Sequence, residues 1–149
     1  MEFVHEVTAY LENKPGRLAK ICSALAHEKV DLKALSIMDS AEHSVLRFVT
    51  DDQASTKKAL GALGVEFTVT EILAVSMDHQ PGSLARVLER LAEEHINIDY
   101  AYASTASTPG KAVGYFHTSN SKRAQQILNS ASANGVDRPG GLRRPLHNR

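Results

Sequence analysis

The sequence predicts an α+β fold built twice over: two tandem βαββαβ modules, each an antiparallel sheet carrying its helices on one face. Three observations predict it. Asn13-Lys14-Pro15-Gly16-Arg17-Leu18-Ala19 returns as His79-Gln80-Pro81-Gly82-Ser83-Leu84-Ala85, a constant 66 residues later, and the match runs on to Leu32 and Ile98. Self-similarity at that period marks a duplicated supersecondary unit. After each Pro-Gly, apolar residues fall at i, i+3, i+4 and i+7, as Leu18, Ile21, Cys22, Leu25 and as Leu84, Val87, Leu88, Leu91, which is one buried stripe of an amphipathic helix. Around these helices lie short β-rich runs bounded by turn residues.

Taken in order, Phe3–Leu11 is a strand that ends at Pro15-Gly16, and the first helix follows. Strands near Leu32–Asp39 and His43–Thr50 come next as a hairpin, with counterparts at Ile98–Thr105 and Lys111–Thr118. A second helix shows the stripe Thr56, Ala59, Leu60, Leu63, matched by Ala124, Ile127, Leu128, Ala131. That match is 68 residues away, so the hairpin holding Ser107-Thr108-Pro109-Gly110 is two residues longer than its counterpart. Asp51-Asp52 and Ser119-Asn120-Ser121 supply capping side chains for these helices. Val65–Thr70 closes the first copy as a fourth strand and runs into Glu71–Met77, the first strand of the second, with almost no linker. The order is that of the ferredoxin-like split βαβ arrangement. Residues 1–70 make the first module and 71–136 the second. The slot for the second module's last strand reads Gly135–Leu142, where Pro139 and paired glycines are poor strand material. Residues 137–149 are expected to be a flexible tail rich in Arg, Pro and Gly.

Composition narrows the function. Lys+Arg 17 balance Asp+Glu 17 in 149 residues, so counterion release on nucleic acid and attraction to an anionic membrane both supply little. Met1–Glu12 carries Glu2, His5 and Glu6 and has neither a basic start nor a long apolar stretch, so no leader or membrane span is read there and a cytoplasmic location is expected. Cys22 is the single cysteine, which removes internal disulfides and cysteine-rich metal sites. It falls within the apolar stripe of the first helix and is expected to pack rather than react. A unit of about 66 residues buries only roughly 60% of its unfolded surface, against roughly 70% for the whole chain, so the modules are expected to pack together, to dimerise, or both.

The repeated loop is the candidate site. A Pro-Gly between strand and helix puts a glycine, which lacks a Cβ, beside unpaired backbone N–H groups at the positive end of a helix dipole, a place suited to a carboxylate or small phosphate. Glu12, Asn13 and Asp78 stand near enough in sequence to receive an ammonium group. Donors on one side and acceptors on the other fit a zwitterion, a free amino acid. Taken singly, Pro-Gly is an ordinary turn.

The wider match carries a resemblance. Leu11–Ala19, Val30–Ile37 and Thr70–Val75 together resemble the tandem ACT-domain proteins, small chains with two βαββαβ regulatory modules and no catalytic domain, over residues 1 to about 128. The resemblance implies a non-catalytic regulator of the allosteric type, without a cofactor, that binds an amino acid where the strand–helix loop of one module meets the second strand of its neighbour. Homodimers through the sheets and association with a metabolic enzyme are implied too. Carried over by position, it puts Asn13, Pro15, Gly16, Arg17 and Leu18 against a strand around Tyr100–Ala103, with Tyr100 and Tyr102 on one face. It likewise puts His79, Pro81, Gly82, Ser83 and Leu84 against Leu35, Ile37 and Asp39. Asn13 would orient the ammonium group and the amides after Gly16 would hold the carboxylate. The second loop departs from the pattern, since His79 stands where Asn or Asp is usual.

Three other functions compete. A regulatory subunit that acts by association alone needs no ligand. RNA-recognition modules share the βαββαβ order, but Tyr115 and Phe116 are adjacent on a strand and point to opposite faces, and aromatics are only 5% of the chain. For an enzyme, no Gly-x-Ser-x-Gly, P-loop or His-Glu-x-x-His motif is present, and the i,i+4 pairs His27/Asp31 and His95/Asp99 read as solvated helix ends. Lys14 and Arg17 read more readily as solvated charges than as ligand contacts, and Tyr100 and Tyr102 read as sheet cover. The tail arginines Arg138, Arg143, Arg144 and Arg149 read as a solubilising end or as contacts for an acidic partner.

Overall fold

The computed structural model describes residues 1–39 and 43–133. The strands are β1 (Glu2–Glu12), β2 (Leu32–Asp39), β3 (His43–Thr50), β4 (Phe67–Asp78), β5 (Ile98–Thr105) and β6 (Lys111–Thr118). The helices are α1 (Arg17–His27), α2 (Gln53–Ala62), α3 (Ser83–Glu93) and α4 (Ser121–Ala133). The expected hairpins and helices therefore form where punctuation and periodicity put them. The fourth strand of the first module and the first strand of the second are a single uninterrupted strand, β4. Nothing between Thr70 and Glu71 breaks the extended backbone.

Because β4 serves both modules, their sheets merge into one antiparallel sheet of order β2-β3-β1-β4-β6-β5. β1 also does double duty. Its residues Val7–Ala9 pair with Phe67–Val69 inside the first module, while Glu2–Glu6 pair with Thr70–Ala74 and occupy the place beside β4 that a last strand of the second module would take. The expected strand around Gly135–Leu142 and the tail 137–149 lie outside the described residues. His5 faces Glu71 in this ladder, and these two residues are 66 apart, so a pseudo-twofold axis relating the modules passes between them.

Alternation sorts the side chains. On one face Val7, Ala9 and Leu11 pack with Ile21, Leu25, Phe48 and Leu60 under α1 and α2. The matching residues Leu73 and Val75 pack with Leu91, Phe116 and Leu128 under α3 and α4. Of the predicted stripes, Ile21, Leu25, Thr56, Ala59, Leu60, Leu91, Ala124, Ile127 and Leu128 are buried, whereas Leu84 is 45% exposed and Cys22 is only partly buried. The burial of Ala131 lies outside the described side chains.

The other face is curled onto itself. Ala34, Val49, Ile72, Ala74 and Tyr115 form a second apolar cluster there, joined by Val4, Tyr102 and Val113. β2 and β5, the two edges of the sheet, come into contact across this face without pairing as a ladder. Both edge strands carry a register irregularity at equivalent positions, between Leu32 and Ala34 and between Ile98 and Tyr100. Irregularities of this kind bend a strand and raise its twist, which draws the edges together.

Candidate functional site

The two strand–helix loops share a backbone and differ in what surrounds it. Gly16 and Gly82 have φ of 85° and 88°, left-handed values that a side chain adopts only with strain, and each precedes its helix with no capping side chain. In the first loop the Lys20 amide reaches Gly16 O at 3.0 Å and the Arg17 amide reaches Lys14 O. The amides of Leu18 and Ala19 have no acceptor among the described residues, leaving the positive end of α1 open to an anion. A Cβ built on Gly16 would meet nothing within 4 Å. On Gly82 it would meet Arg86 Nη1 at 3.3 Å, and Arg86 Nη2 donates to Ser83 Oγ at 3.2 Å, so an arginine already lies over the second loop.

The polar partners also differ. Asn13 Nδ2 donates to Asp39 Oδ1 at 3.0 Å, joining the first loop to the end of β2 in the same module. Asp39 makes no ion pair among the described residues. Its counterpart is Thr105, and the counterpart of Asn13 is His79, whose amide donates to Gly110 O at 2.8 Å in the adjoining hairpin. The carboxylates nearest in sequence are engaged: Glu12 pairs with Lys14 at 3.0 Å and Arg17 at 3.3 Å, and Asp78 pairs with Lys111. Lys14 chiefly holds the Glu12 carboxyl below its usual range, and Lys111 does the same for Asp78, so both stay ionised at neutral pH but are already matched to a cation.

Leu35 and Ile37 lie opposite Phe48 and Leu46, on the helix side of β2, at 41% and 46% exposure beside Asp39. Their counterparts on β5 are the exposed Ala101 and Ala103. Tyr100 and Tyr102 lie on the opposite, curled face, where their hydroxyls donate to Glu6, Tyr100 to Oε1 and Tyr102 to Oε2 at 2.6 Å. Within the chain the structure therefore brings Asn13 to Asp39 and ties Tyr100 and Tyr102 to β1. Pro15, Arg17 and Leu18 stand at the open first loop; His79, Pro81, Gly82, Ser83 and Leu84 form the second, with Ser83 buried under Arg86. A shallow cleft of about 100 Å³ lined by Leu11, Arg17, Lys20, Ile21, Leu63 and Val65 adjoins the first.

Two features escaped the sequence. Glu6, on the same strand face as Val4 and Thr8, is 0% exposed, a burial that a charged residue in a strand does not announce. Arg86 covers Gly82, and its i,i+3 spacing from Ser83 on α3 was the one local signal. No set of three or more His, Cys, Asp or Glu poised for a metal occurs among the described residues, and none of their helices is long and apolar enough to cross a membrane.

A family profile described as an ACT domain pair matches residues 2–137. No curated protein sequence gives a significant match. Among solved structures, a protein from Bacteroides thetaiotaomicron superposes with a TM-score of 0.80 at 29% identity, over 87% of this chain and 89% of that one. The ligand-free regulatory subunit of aspartate kinase from Thermus thermophilus superposes at 0.63 with 17% identity, covering 88% and 97%. The corresponding subunit from Thermus flavus gives 0.57 at 18% identity, covering 88% and 94%. At those identities the two kinase subunits share the fold.

Proposed function

We propose a function from the premise that the chain belongs to the family of ACT domain pairs: it is a non-catalytic regulator that binds a free amino acid at its first strand–helix loop. One observation carries the proposal, the meeting of Asn13 and Asp39 beside the uncapped start of α1. The ligand carboxylate lies on the amides of Leu18 and Ala19, where charge-assisted N–H bonds and the helix dipole favour an anion. Its ammonium group goes to Asp39, with Asn13 turning its amide oxygen inward. Leu35 and Ile37 supply apolar surface next to this pair, and the second strand of a neighbouring module completes the wall in a homodimer. Arg86 fills the second loop and Thr105 replaces the acceptor, so each chain offers one competent half-site.

This regulator acts in the cytoplasm by presenting its ligand-bound form to a metabolic enzyme. The aspartate kinase subunits that share its fold are regulatory subunits, which fits an association of that kind. A thermal-shift screen of the free amino acids tests the reading. A ligand at 100 times its Kd is expected to add about 2.7 kcal/mol of stability. Asp39→Asn keeps the size of the side chain and removes the charge that meets the ammonium group. It is expected to abolish the shift, while Thr105→Ala leaves it intact. A shift that survives Asp39→Asn undiminished counts against this site.

A further inference from the structure

β5 is weakly anchored on its outer side. It is an edge strand, laddered only to β6, and on the helix face it presents the exposed Ala101, Ala103 and Thr105. Its inner side is different. Tyr100 and Tyr102 reach across the curled face to β1, where both hydroxyls end on the carboxylate of the fully buried Glu6. The rings are held in turn: Tyr102 stacks on Tyr115 at 5.5 Å, Tyr100 stacks on His117 at 5.0 Å, and the Arg47 guanidinium lies 3.9 Å from the Tyr100 ring centre. His117 Nδ1 is 2.8 Å from Asp99 Oδ2. At the seam the backbones of β2 and β5 run close together without a ladder.

We infer that Glu6 with Tyr100 and Tyr102 is a fastening that holds the seam between β2 and β5 closed, and that releasing it frees β5 from the curled face while the helix-face cores stay packed. The physical case is one of alternatives. A strand fixed by a ladder on both sides does not move when one side-chain contact is lost. A strand laddered on one side, whose helix face past Ile98 carries only small side chains, depends along that length on whatever holds its inner face. A buried carboxylate is costly unless its oxygens are matched, and here the two described donors to it come from the opposite module. Burial and the facing Glu6 carboxylate both raise the tyrosine pKa values, so the donors keep their protons. The fastening links the first strand of one module to the second strand of the other.

Amide hydrogen exchange on the full chain tests this with two conservative variants, Glu6→Gln and Tyr102→Phe. In each, exchange over residues 98–105 is expected to speed by about tenfold, the worth of one charge-assisted hydrogen bond, with α1 and β3 unchanged. Unchanged exchange in β5 in both variants overturns the inference. So does a uniform rise across the chain or a loss of the fold in both, because the three residues are then a general part of the core.

Discussion

Gly114 shows how a single missing methyl group shapes the second core. A Cβ there would sit 2.5 Å from Phe116 Cε2 and 2.9 Å from Met77 Cε, so the bare backbone is what lets the buried Phe116 ring lie under α3 and α4. Met77 can turn aside but the ring has no room to do so. Gly114→Ala is therefore expected to cost about 1–3 kcal/mol by overpacking, read from denaturant unfolding. The curled face makes a different prediction. Burial, first of all, raises the pKa of Tyr100, Tyr102 and Tyr115 above the usual tyrosine value, with Glu6 adding to the shift for the first two. In the unfolded chain these phenols ionise near pH 10, whereas in the folded chain they stay protonated. Their contribution to stability is thus complete below about pH 10 and falls as pH rises beyond it. The melting temperature is expected to hold up to about pH 9.5 and then to drop, and Tyr102→Phe to flatten that drop.

Among the elements, the helix ends repeat a device with different residues. α1, α2 and α3 each close through a left-handed residue, Lys29 with φ of 57°, Gly64 with 65° and His95 with 55°. In each, the next amide folds back, Val30 to Leu25 O, Val65 to Leu60 O and Ile96 to Leu91 O. Two of the three positions carry the strain that glycine avoids. Lys29→Gly and His95→Gly are expected to stabilise the protein by up to about 1 kcal/mol each, and Gly64→Ala to destabilise it by a similar amount, as measured by chemical denaturation. Signals this local are why the elements could be read from the sequence. Pro-Gly, the apolar stripes and the capping side chains Asp52 and Asn120, which accept from the Ser55 and Arg123 amides, act within a few residues of themselves. The pairing of Glu2–Glu6 with Thr70–Ala74 is set across the length of the chain by which edge is free. Alternation therefore marks β1 as a strand and cannot give the curl that buries Glu6. The same limit held for the candidate site: the Pro-Gly loops are legible in the sequence, but the contact of Asn13 with Asp39, 26 residues away, depends on how β2 is laid beside the first loop.

At the scale of the molecule, neither module is complete by itself. Phe67–Val69 serve the first module and Glu2–Glu6 the second, so each half takes an edge strand from a segment that continues into the other. A fragment of residues 67–133 keeps α3, α4, β5 and β6 but loses the strand beside β4. It is expected either to remain unfolded or to pair β4 with β4 of a second copy about Glu71, the position on the pseudo-twofold axis. Sedimentation with far-UV circular dichroism separates these from a stable folded monomer, which would contradict the reciprocal use of strands. That axis has a further consequence for how the protein can change. In a dimer of identical chains every substitution lands twice, so a loop cannot be given up on one side and kept on the other. Here the two halves are joined in one chain through β4 and are written separately in the sequence. Arg86 can lie over Gly82 in one loop while Gly16 stays uncovered in the other, a difference that symmetry forbids and a covalent join permits.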